Sequence, residues 1–202
     1  MNMKKRFSTE KKTDYYLIYT LAFGIIGLIL YLQFYLNGKS LIWSHDGVPQ
    51  HLNSLAYYGE YLRNILHSVF VEHKFEIPMW DMHIGYGSDI LTTLHYYVIG
   101  DPLTLLSVFV SPEKTEYLYA FLIFLRIYLA GIAFSRYCFY HRNSKQAVLL
   151  GSLIYIFAGW TIYAAMKHPY FANPMIYLPL ILLGIDKIYR KEKPYVFIWS
   201  VA

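Results

Sequence analysis

Shortly after its first long apolar run the chain presents Trp43-Ser44-His45-Asp46-Gly47. A carboxylate at the edge of a membrane span can take a proton from an acceptor hydroxyl, or hold a divalent cation against a leaving phosphate. Asp46 is therefore the first candidate for chemistry. Two further acids stand in marked surroundings. Asp89 closes Gly85-Tyr86-Gly87-Ser88-Asp89, which follows Pro78-Met79-Trp80-Asp81. Two glycines spaced by one residue permit a tight turn or a close approach of backbone to a ligand. Asp101 lies in Gly100-Asp101-Pro102, after Tyr96-Tyr97. An Asp before Pro is held in extended or turn geometry and commonly starts a helix whose first residue is the Pro. For Asp89 and Asp101 the helix-capping role is favoured over catalysis. The two roles are compatible, because a carboxylate fixed by backbone amides is also a rigid acid.

Arg126 lies well inside a later apolar run. A charge there is costly unless it is paired or faces a polar cavity. Its natural partners are a ligand phosphate or an acid such as Asp101, with snorkelling toward the outer face as the alternative. Arg136, nearer the end of that run, is expected to snorkel. Six of the eight histidines fall between residues 37 and 116: His45, His51, His67, His73, His83 and His95. His45, Asp46 and His51 contain metal-ligand types, but their spacing matches no strong template. His168-Pro169 is expected to wall the same cavity as Asp46.

These residues need elements to hold them, and composition restricts what those are. A chain that is 56% hydrophobic and 15% charged, with mean hydropathy +0.31, is too apolar for an ordinary soluble domain of 202 residues. Apolar runs of about 20 residues match the bilayer core. We expect spans at roughly 16–36, 117–140, 146–166 and 174–189, with an incomplete fifth from about 195. Tyr15, Tyr16, Tyr31 and Tyr35 would sit as interfacial aromatics at the ends of the first. Pro179 is expected to kink or tilt the fourth. Because the last run stops after a few residues, the chain is expected to be the N-terminal part of a longer protein.

The net charge of +5 suggests nucleic acid, but its distribution excludes that partner. Lys4, Lys5, Arg6, Lys11 and Lys12 precede the first span, and Arg142, Lys145, Lys187, Arg190, Lys191 and Lys193 follow later ones. Residues 37–116 hold four basic residues against nine acidic ones. Basic turns alternating with an acidic loop put the N-terminus in the cytoplasm and the loop outside. Within that loop Leu52, Leu55, Leu62, Ile65, Leu66, Val69 and Phe70 recur at helical spacing, giving an amphipathic helix that lies on the membrane or packs on the bundle. Residues 98–110 are too short to span and suit a re-entrant or interfacial segment. The first run is read as an uncleaved anchor. The lone Cys138 excludes an intramolecular disulfide. The fold class is all-α: a polytopic transmembrane helical bundle with a long external first loop.

Taken in order, Trp43-Ser44-His45-Asp46-Gly47 with Gln50-His51, Trp80 with Gly85-Tyr86-Gly87-Ser88-Asp89, Tyr96-Tyr97 with Gly100-Asp101-Pro102, and the run from Tyr177 through Pro179 to Gly184 resemble the YfhO-type bacterial membrane proteins of the GT-C glycosyltransferase superfamily. The resemblance covers the chain as the N-terminal part of one GT-C-like transmembrane domain. It implies transfer of a sugar from a polyprenyl-phosphate donor to a cell-envelope acceptor, such as a teichoic acid, outside the bacterial cytoplasmic membrane. By that resemblance Asp46 is the general base or acceptor-orienting acid, and Asp89 and Asp101 join it as catalytic candidates. Arg126 would meet the donor phosphate, with His45, Trp80, Tyr97 and His168 in substrate binding. No cofactor is fixed; a divalent cation is the one candidate. The competing readings are a lipid or polymer transporter or flippase, in which the same groups line a pathway, and a non-catalytic assembly subunit.

Overall fold

The computed structural model describes residues 3–202, with side chains from Asp14 onward. The basic residues before the first span therefore lie outside the described side chains. The chain is helical almost throughout, as the apolar periodicity requires, and two residue pairs form its only strands among the described residues. Among the described residues three helices are long and apolar enough to cross a bilayer: Asp14–Leu36, Pro112–Tyr140 and Pro169–Tyr189. The pair Lys145–Ile156 and Gly159–Lys167, bent by 45°, makes a fourth when counted as one broken span.

Two compact units divide the chain. The first comprises Met1–Ser40, Arg126–Tyr163 and Phe171–Ala202. Its elements are α1 (Met3–Leu36), most of α4 (Thr115–Tyr140), α5 (Lys145–Ile156), the start of α6 (Gly159–Lys167), α7 (Asn173–Tyr189) and α8 (Tyr195–Val201). One face of α1 carries exposed Leu17, Leu21, Ile25, Leu28 and Ile29, an apolar stripe suited to lipid. The opposite face differs from expectation. Tyr15 and Tyr31 are buried rather than interfacial, and only Tyr35 is largely exposed. The Tyr15 hydroxyl bonds Ser135 Oγ of α4 at 2.7 Å, and Ser135 bonds Ser152 of α5 at 2.8 Å. Tyr19 donates to the Tyr128 carbonyl at 2.9 Å. Hydroxyls bonded between helices are the usual polar glue of a bundle in lipid.

The third span is not the single helix expected over 146–166. It breaks at Phe157, and Thr161 donates to the Tyr155 carbonyl at 3.1 Å, satisfying an acceptor near the break. Pro179 sits inside α7 without ending it, and a 3-10 turn over Pro169–Ala172 lengthens the fourth span beyond its expected start. The helix α8 lies against Gly184, where an added Cβ would meet the Phe197 backbone at 2.6 Å.

The second unit comprises Leu41–Leu125 and Ala164–Tyr170. A wide, π-helical turn over Gly47–Leu52 leads into α2 (Asn53–Phe70). The amphipathic helix expected there forms, and it packs through Gly59 against the Ser107 carbonyl of a 3-10 helix, Pro102–Phe109. Arg63 on α2 donates to the Val110 carbonyl at 2.6 Å and the Ser107 carbonyl at 3.1 Å, tying off the end of that segment. Thus residues 98–110 do not span. Between these elements β1 (Trp80–Asp81) and β2 (Ser88–Asp89) pair antiparallel around the Gly85 and Gly87 turn, and α3 (Ile90–Leu94) follows. Both glycines have positive φ, +62° and +105°.

Candidate functional site

Local geometry separates the three acids. Asp89 is extended, and its Oδ1 accepts from Thr92 N at 2.7 Å, capping α3. Asp101 is extended before Pro102 and accepts from Leu103 N at 3.0 Å, capping the 3-10 helix. Both adopt the capping role favoured for them. Asp46 is different. It precedes the wide turn, yet its carboxylate makes no capping bond. Its backbone carbonyl instead accepts from both Gln50 N at 3.2 Å and His51 N at 3.3 Å. Gly47 makes this fit, since a Cβ there would fall 2.9 Å from Ile42 Cγ2. The turn brings His51 back toward the residue that opens it.

The freed carboxylate has an imidazole partner. Asp46 Oδ2 lies 3.7 Å from His168 Nε2, and His168 Nδ1 lies 2.8 Å from His51 Nε2. Asp46 is about one-third exposed and His51 only 4%, so the array runs from a solvent-reached carboxylate to a buried imidazole. Tyr97 and Tyr170 pack on the His51 ring with centroids at 5.5 and 5.2 Å, and Tyr97 also donates to Gln50 Oε1 at 3.3 Å. Tyr96 packs on both tyrosines.

Proton positions follow from charge. The Asp46 carboxylate favours a proton on His168 Nε2. In the tautomer that carries this proton and no other, His168 accepts at Nδ1 and His51 donates from Nε2. That leaves His51 Nδ1 as a bare acceptor, and this buried atom has no hydrogen-bond partner among the described residues. Burial, with His168 adding to it and Asp46 opposing, holds His51 down at about 4, so the ring is neutral at physiological pH. The arrangement can receive a proton at the part-exposed Asp46 carboxylate.

Each of the other assigned residues has its own surroundings. His45 is exposed, with Nδ1 3.2 Å from Ser44 Oγ. Trp80 is also exposed and is the cross-strand partner of Asp89, so the hairpin brings those two together. Asp81, not assigned a role from sequence, is clamped by the Tyr57 hydroxyl and by His83, which hold its carboxyl down at about 2. Arg126 belongs to the first unit. It is 3% exposed, which excludes snorkelling, and its Nε donates to Asn173 Oδ1 at 3.0 Å. Arg136 is exposed, as snorkelling requires. Among the described residues no group of three His, Cys, Asp or Glu side chains is arranged to hold a metal. From sequence His51 enters as a weak metal-ligand candidate and as part of the motif behind the family resemblance. The signal for its actual place is the small residue Gly47 between it and Asp46.

Residues 18–202 match a family model described as bacterial membrane protein YfhO. No curated protein and no solved structure matches the chain.

Proposed function

The chain belongs to the YfhO family of bacterial membrane proteins, and on that premise we propose that it takes part in sugar transfer from a polyprenyl-phosphate donor to an acceptor outside the cytoplasmic membrane, such as a teichoic acid. The observation that carries this reading is the Asp46 carboxylate, uncommitted to capping and 3.7 Å from His168. In the step, Asp46 takes the acceptor hydroxyl proton while that oxygen forms a bond to the anomeric carbon. The bond from that carbon to the phosphate oxygen breaks, and its electron pair leaves with the lipid phosphate. His168 orients the carboxylate and steadies its charge, while Tyr97 offers an aromatic wall. Arg126 remains the residue proposed for the donor phosphate, and His45 and Trp80 remain proposed substrate contacts.

The test is transfer by the purified protein in vesicles, with a polyprenyl-phosphate sugar and an acceptor polymer. Asp46→Asn should lower the rate by about 10²–10⁴-fold without changing expression or insertion. Normal transfer by that variant would remove Asp46 from the mechanism. The part-buried imidazole pair also suits proton-coupled movement of a lipid or polymer. Movement of the donor across the vesicle without its consumption would favour that transport reading.

A further inference from the structure

The first unit holds a cavity of about 440 Å³ with an unusual lining. Among the described residues three cations reach it, Arg136, Arg142 and Lys187, Tyr16, Phe139 and Tyr140 supply aromatic walls, and no carboxylate lines it. The nearby acids are committed: Glu192 to Lys187 at 3.1 Å and to the Tyr140 hydroxyl at 3.0 Å, and Asp186 to His141 at 2.9 Å. Arg136 and Arg142 are exposed and make no ion pair among the described residues. Arg136 and Arg142, gathered at one cavity with no carboxylate paired to either among the described residues, raise one another's energy, and an anion relieves this.

Position narrows the anion. Tyr16 lies at the start of the candidate span Asp14–Leu36, Phe139 and Tyr140 at the end of Pro112–Tyr140, and Lys187 near the end of Pro169–Tyr189. Three apolar spans therefore present their same-side ends to one cavity, at the depth where headgroups and interfacial aromatics sit. Basic pockets between spans are suited to phosphate headgroups, and the volume is within the range of small-ligand sites. We propose that this cavity binds the phosphate of an anionic membrane lipid, with Arg136 and Arg142 as the contacting cations and the aromatic rings against the glycerol end. The site is independent of the transfer reading.

The test uses the full chain in a neutral detergent, with phosphatidylglycerol, phosphatidylcholine and inorganic phosphate as separate probes, read by thermal shift and by lipid adducts in native mass spectrometry. Phosphatidylglycerol should stabilise the protein and remain bound, and the other two should not. Arg142 has φ of +62°, a conformation glycine adopts freely, so Arg142→Gly removes the cation without straining the fold. Arg136→Gln with Arg142→Gly should weaken phosphatidylglycerol binding by about tenfold or more while leaving the lipid-free melting temperature unchanged. Asp46→Asn should bind phosphatidylglycerol normally. Equal binding of phosphatidylcholine, equal binding of lipid by the double variant, or an equal shift with inorganic phosphate would each overturn the proposal.

Discussion

Burial holds the His51 imidazole near 4, against 6.5 for an ordinary histidine. The folded chain therefore refuses a proton that the unfolded chain accepts as the pH falls below 6.5. Stability should decline from about pH 6.5 to about pH 4 and then level off, by roughly 3 kcal/mol for this group. Thermal melts across that window should show the decline, and His51→Gln should lose most of that slope. The three acids separate by a different substitution. Serine caps a helix nearly as well as aspartate but carries no base. Asp89→Ser and Asp101→Ser should keep both stability and sugar transfer, whereas Asp89→Ala should cost about 1 kcal/mol. Loss of transfer in either serine variant, with melting unchanged, would return that acid to the catalytic set. The place of Asp46 beside a span was readable from the apolar runs, whereas its proposed role as a base came from the family resemblance. The place of His51 was not readable, because a one-carbonyl, two-donor turn leaves no periodic trace in the residues that form it.

At the scale of elements, spans and loop were readable from apolar run length, and α2 from its helical spacing. The break between α5 and α6 was not, since residues 146–166 are apolar throughout and hydropathy is blind to a change of axis. Close helix approaches were equally hidden until the glycines had neighbours. Gly184→Ala would set a Cβ 2.6 Å from the Phe197 backbone, while Gly24→Ala meets nothing within 4 Å. We expect Gly184→Ala to destabilise by about 1–3 kcal/mol and Gly24→Ala to be neutral or slightly stabilising, measured by melting in detergent. A smaller loss at Gly184 than at Gly24 would contradict the packing of α8 on α7.

For the molecule as a whole, bonded turns carry a topological message that charge bias alone does not. The loop after the first span meets the turn after the third through Asp46 and His168, so those two share a side. The turn after the second meets the end of the fourth through His141 with Asp186 and Tyr140 with Glu192. On a Cys138→Ser background, Tyr86→Cys should react with an impermeant maleimide added to intact cells, and Lys193→Cys only after permeabilisation. The reverse pattern would invert the proposed orientation. Tyr15 adds a constraint of another kind. Its hydroxyl is bonded to Ser135, which follows it by 120 residues. At about 5–20 residues per second of synthesis, that partner emerges roughly 6–24 s later. For that interval the first helix waits in the membrane with its polar face unclaimed, so assembly is a matter of timing as well as packing, and a factor that shelters α1 during the wait would govern how much protein matures.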